Sequence, residues 1–327
     1  MIIAHHPEMW ALTDGFFPSW EFSLTKQTVG KNSWVYLRNY PRYGLSYRYS
    51  DFGHSIYLGE AHSVMPFISL QLLKTPKTLL DFRISLGAAY ITRKFDRLEN
   101  YKNRAISTHW NASVSFEVQG NWQLTEVTGL TAGLSMLHLS NGTIKTPNYG
   151  LNVPGVFAGL NFRLSRKPIN YQIPDELILN KGKQNIRISA GIARKQLINH
   201  PDELFLVYSS EIAYARYYNN TNRFIIGADA SYDQSNKIVL ETQGDTTSNL
   251  TELSKFGLIA GHEWVFSRFA LNFSIGYYLH NLNDSNDLVY NKLGVIYFFH
   301  KNIYAGITLK SHYAKADFFS VGMGLSF

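Results

Sequence analysis

The chain has 327 residues, no cysteine, and a formal charge of +7 from 31 Lys and Arg against 24 Asp and Glu. Without cysteine it has no disulfides. Its dispersed basic residues form no compact run, which argues against nucleic acid as a partner and leaves anionic lipid headgroups as the better match. Aromatic residues reach 15% and charged ones only 17%, and no run approaches the roughly 20 apolar residues of a membrane helix. The class that fits is an all-β, transmembrane antiparallel β-barrel, whose lumen face stays polar.

Met1–Pro7 lacks the charged start and apolar stretch of a secretory signal. A barrel of the outer membrane must be exported, so the numbering is expected to start at or near a mature N-terminus. His5 and His6 have no carboxylate cluster beside them and read as a solvated terminus rather than metal ligands. Residues 1–39 have no firm place. Their aromatic segment Trp20–Val29 would run the wrong way for a periplasmic start, and is left as a plug, a periplasmic strand or a miscount. From about Tyr40 onward the pattern predicts about fourteen strands (range 12–16), forming a single barrel domain.

Four segments carry the period of two most clearly. Trp110, Ala112, Val114, Phe116 and Val118 alternate with polar neighbours, as do Phe224, Ile226, Ala228, Ala230 and Tyr232. Ile303, Ala305, Ile307 and Leu309 follow, and the last segment sets Phe319, Val321, Met323, Leu325 and Phe327 against serines and glycines. One-sided polarity repeated in segment after segment, with no helical spacing, fits a closed sheet facing lipid better than two packed layers. Loop lengths then orient it. Short turns near Lys74–Lys77, Asn121–Thr125, Tyr218–Asn222, Ser267–Phe269 and His300–Asn302 face the periplasm. Longer connections near Arg93–Arg104, Asn141–Gly150, Ile198–Glu203, Gln234–Ser254 and Asn281–Asp287 face outward. A long connection at Ser165–Gln184 breaks the alternation on the periplasmic side. Glu117, Asp229, Lys310 and His312 have lumen parity and are expected to form ion pairs across the interior.

One segment carries chemistry. In Met136-Leu137-His138-Leu139-Ser140-Asn141-Gly142 the histidine and serine lie two apart, on one strand face and about 7 Å apart by Cα. Leu130, Ala132, Leu134 and Met136 share their parity, so the pair extends a lipid-facing stripe at its outer end. A polar pair there is costly unless it lies at headgroup level or performs a task. Ser beside His is the minimum for an activated nucleophile. The plain alternative is a tolerant strand end followed by an Asn-Gly turn.

His138-Leu139-Ser140-Asn141-Gly142, with Lys145, Pro147 and Asn148 after it, resembles the active-site segment of the PagL family of outer-membrane lipid A 3-O-deacylases. The likeness is greatest to its larger acyloxyacyl-hydrolase-like relatives of Bacteroidetes type, and the specific part lies within about residues 1–165. The resemblance implies a serine esterase that removes an ester-linked acyl chain from lipid A at the outer leaflet. Ser140 would be the nucleophile, His138 the general base, and Asn141 with Gly142 the oxyanion donors. The family has an acidic residue where this chain has Asn152. If Asn141–Gly150 is the hairpin loop, Asn152 faces His138 from the next strand, and an amide there orients the ring without supplying charge. Arg93, Lys94 and Lys145 in the outer loops are candidate contacts for lipopolysaccharide phosphates. No cofactor or metal is expected. The rival readings are a structural or accessory subunit of an outer-membrane assembly or secretion complex, with another barrel as partner, and a channel, since fourteen strands can enclose an open lumen.

Overall fold

The structure is a computed structural model that describes residues 1–3, 6–12, 15–166, 168–242, 244, 249–281, 288–313 and 315–327. The fold is all β, with fifteen strands among the described residues. The fourteen expected from about Tyr40 onward are present. The fifteenth is the unplaced aromatic segment, which forms strand β1 (Ser19–Gln27) and pairs antiparallel along its length with β2 (Arg42–Asp51). No helix among the described residues is long and apolar enough to cross a membrane.

The strands form a seven-stranded sheet and a closed eight-stranded barrel. They divide into two units, Met1–Asn141 with Pro147–Leu177, and Gly142–Thr146 with Ile178–Phe327. Alternation along a strand is the same in a small barrel as in a large one, so the number of closures has no signature in it. The long connection at Ser165–Gln184 contains the boundary between the units.

The first unit is a seven-stranded antiparallel sheet in chain order. After β1 and β2 come β3 (Glu60–Lys74), β4 (Thr78–Ile91), β5 (Trp110–Gln123), β6 (Thr128–Ser140) and β7 (Leu151–Phe162). Its outward parity carries Phe116, Leu130, Leu134, Val156 and Leu160, all exposed, as lipid-facing positions should be. Its inward parity carries ion pairs. Arg48 bonds Glu117 at 2.6 Å and Glu21 at 2.8 Å, Arg83 reaches Glu21 at 2.8 Å, and Arg42 pairs with Asp81. Toward the ends of the strands away from the short turns, the interior becomes apolar. There Ile2, Met9 and Leu12 from the N-terminal segment pack among Phe52, Leu58, Ile91, Ile106, Leu137, Leu139 and Leu151. Among the described residues β1 and β7 each have a strand partner on one side only.

The second unit is a closed eight-stranded barrel. Its strands are β8 (Gln184–Leu197), β9 (His200–Tyr217), β10 (Asn222–Asp233), β11 (Ser254–Phe266), β12 (Phe269–His280), β13 (Val289–His300), β14 (Ile303–His312) and β15 (Lys315–Ser326). Closure is by β15 against β8, with Val321 opposite Ile192 and Gly324 opposite Ser189. Eight strands leave an interior that side chains can fill. Here the filling is charged: Lys310 meets Asp229 at 3.2 Å, and Arg187 meets Glu263 at 2.6 Å. The lumen positions read from parity at Glu117, Asp229 and Lys310 are therefore ion-paired, while His312 lies 3.1 Å from the Tyr278 hydroxyl.

Candidate active site

His138 and Ser140 are the last outward-facing positions of β6. Their parity neighbour Leu134 is 63% exposed, but Ser140 is only 9% exposed. The cover comes from the β6–β7 connection, which folds back over the strand end. Asn148 Nδ2 donates to Ser140 Oγ at 2.8 Å, and Asn148 Oδ1 accepts from the Asn141 backbone N–H at 3.2 Å. One carboxamide thus ties the serine to the start of the loop.

The hairpin brings Asn152 opposite His138 in register. The two side chains meet, with His138 Nδ1 at 2.7 Å from Asn152 Oδ1. A carboxamide oxygen can only accept, so Nδ1 carries a proton and donates in this contact. Gly150 shapes the space between. It adopts φ +75°, and a Cβ there would stand 3.0 Å from His138 Cε1 and 3.5 Å from Ser140 Cβ. The histidine ring and the serine therefore flank the same glycine, which only a residue without a side chain can place so close.

The N-terminal segment braces this loop. Ile3 N–H donates to the Asn152 carbonyl at 2.8 Å in an isolated antiparallel bridge. His6 stacks on Tyr149 at 4.1 Å between centroids. The Tyr149 hydroxyl donates to Glu8 Oε2 at 3.1 Å, and Glu8 also pairs with Arg104 at 2.9 Å. Burial, with the Glu8 carboxylate as hydrogen-bond partner, pushes the Tyr149 phenol up, so it stays a donor. His6 is thus packed rather than solvated; His5 lies outside the described residues.

The structure brings together Ser140, His138 and Asn152 from the expected set. Asn141 is adjacent; its backbone N–H donates to Asn148 Oδ1 and its Nδ2 donates to Ser107 Oγ at 3.0 Å. Asn148 also donates to Ser140, and the sequence places it in the motif without assigning it a role. Gly142 has φ +62° and belongs to the short segment grouped with the second unit, where a Cβ would meet Phe319 at 3.1 Å. Arg93 and Lys94 are in the β4–β5 connection, their carbonyls held by Asn103 and Asn100. Lys145, exposed, lies in the segment grouped with the second unit.

The fold and the comparisons define an outer-membrane β-barrel protein. Residues 19–161 match the family model for lipid A 3-O-deacylase (PagL), and residues 176–327 match that for the acyloxyacyl hydrolase C-terminal domain. The chain belongs to this PagL-type family, and its barrel is deacylase-like. No curated protein matches it. Among solved structures it is similar to the KdgM porin at 8% identity, covering 95% of this chain and 99% of the other, with a TM-score of 0.22. An outer membrane channel from Pseudomonas putida F1 matches at 10% identity over 94% and 93%, TM-score 0.21. A mutant of the Rh. blastica porin matches at 8% over 94% and 90%, TM-score 0.19. At such scores the superpositions say nothing about function.

Proposed function

We propose that the chain is a serine esterase that cleaves an ester-linked acyl chain from lipid A at the outer leaflet. The observation that supports this most is the pair of short contacts on one outward-facing patch: Asn152 on His138 at 2.7 Å and Asn148 on Ser140 at 2.8 Å. Long connections, which in outer-membrane barrels face outward, surround that end of the strands.

In the first step Ser140 Oγ attacks the acyl carbonyl while its proton passes to His138 Nε2. The Nδ1–H remains on Asn152 Oδ1 and fixes the ring. Asn148 Nδ2, already directed at Oγ, donates to the oxygen that gains charge as the tetrahedral intermediate forms. Asn141 keeps Asn148 in place through its backbone N–H. As the intermediate collapses and the bond to the sugar oxygen breaks, His138 returns the proton to that oxygen, which leaves as the sugar hydroxyl. Water, activated by the same nitrogen, releases the fatty acid from Ser140 and restores the hydroxyl.

The test is mass spectrometry of lipid A incubated with purified barrel. Loss of one acyl chain is expected, with Ser140→Ala reducing it by roughly 10⁴-fold or more. If lipid A is unchanged by both proteins, the esterase reading fails. An amide in the acid's position specifically favours the second reading, a catalytically impaired barrel kept as an accessory subunit. Stable co-purification with another outer-membrane barrel, without hydrolysis, would support that instead.

A further inference from the structure

The charges inside the second unit stack in three tiers. At the end away from the short turns, Lys195 and Lys255 face Asp233 and Asp317. In the middle, Lys292 and Lys310 face Glu211 and Asp229. Both tiers balance, two bases to two acids. In the third tier Arg187 and Arg223 share the one carboxylate of Glu263, at 2.6 and 2.5 Å. Among the described residues this tier therefore sets two bases against one acid, in side chains no more than 5% exposed.

That tier opens into a pocket of about 450 Å³ at the short-turn end of the barrel. Arg223, Arg268, His300 and Lys301 line it, with the rings of Tyr217 and Phe298 as walls, and none of its lining residues is Asp or Glu. Arg223 belongs to both tier and pocket. Its guanidinium carbon lies 5.1 Å from the Tyr217 centroid and 5.5 Å from that of Phe298, and its buried Nε has no hydrogen-bond partner among the described residues. A buried charge without compensation is costly, and a cavity that converges basic donors on it is completed by an anion.

We propose that this pocket is an anion site that takes a phosphate group. Its donors come from three directions: β10, the β11–β12 turn and the β13–β14 turn. This arrangement suits a tetrahedral anion with three or more acceptor oxygens better than a flat carboxylate. The volume exceeds what bare phosphate needs and admits a phosphodiester with part of its glycerol stem. The phosphate is supplied either by a phospholipid headgroup from the adjoining leaflet or as the free ion. The inference is independent of the esterase reading, since no residue of the pocket belongs to the first unit.

The experiment uses the full chain in maltoside micelles, titrated calorimetrically with inorganic phosphate, alongside native mass spectrometry after incubation with phosphatidylglycerol vesicles. Wild type is expected to bind phosphate, and the Arg268→Gln/Lys301→Gln double variant, altered only at exposed turns, to bind about tenfold more weakly. Arg223→Gln provides a second reading of the same site. Retention of phosphatidylglycerol by wild type and its loss in the double variant assign the site to a lipid headgroup. Phosphate binding without retained lipid assigns it to the free ion. Equal phosphate affinity in wild type and both variants, or no uptake of either ligand by wild type, overturns the proposal.

Discussion

At the scale of single residues, Asn152 determines how fast the proposed site can run. Its carboxamide holds His138 at 2.7 Å but offers no negative charge to an imidazolium. Asn152→Asp is expected to raise the rate of deacylation by roughly 10²–10⁴-fold, the reverse of the loss seen when a triad aspartate becomes asparagine. Unchanged turnover in that variant would mean that the ring does not become charged during the reaction. Gly150 sets a second limit. Gly150→Ala puts a methyl 3.0 Å from His138 Cε1 at a φ of +75°, so a loss of activity and about 1 kcal/mol of stability is expected by urea titration. That His138 and Ser140 share one face of β6, with Asn152 opposite His138 on β7, was legible from strand parity and the hairpin; the roles proposed for them came only from the family resemblance. The part played by Asn148 was not legible. A loop side chain that turns back onto its own strand follows no period, and no propensity rule points to it.

The strands themselves were the most readable elements. The alternation around Trp110–Val118, Phe224–Tyr232, Ile303–Leu309 and Phe319–Leu325 recurs in β5, β10, β14 and β15. The bracing N-terminal segment could not be read, since Ile2, Ile3 and His6 show neither strand nor helix spacing and act through long-range contacts. Its effect can be measured. Ile3→Pro removes the N–H that reaches the Asn152 carbonyl at 2.8 Å while keeping an apolar side chain. The loss of one backbone bond, worth about 1 kcal/mol, is expected to lower kcat roughly fivefold with KM unchanged, and Ile3→Val to behave as wild type. A fall in KM alone, or no change, would show that the segment packs beside the site without positioning it.

For the whole molecule, the sequence foretold a sheet facing lipid on one side and water or ions on the other. It did not foretell where that sheet would close. Pairing β15 with β8 depends on register across the barrel, and the local pattern would equally suit a seam anywhere else. An eight-stranded lumen occupied by the tiers around Glu263, Asp229 and Asp317 retains a cavity of about 70 Å³ beside Lys292 and Lys310. The second unit should therefore show no steady conductance in planar bilayers, and an ohmic pore would contradict the packing described above.

The seven-stranded sheet carries a directional consequence. With every neighbouring pair antiparallel and an odd number of strands, β1 and β7 point the same way. Hydrocarbon offers nothing to the amide groups along two such margins. Joining them directly would require a parallel ladder, whereas one intervening segment would run opposite to both.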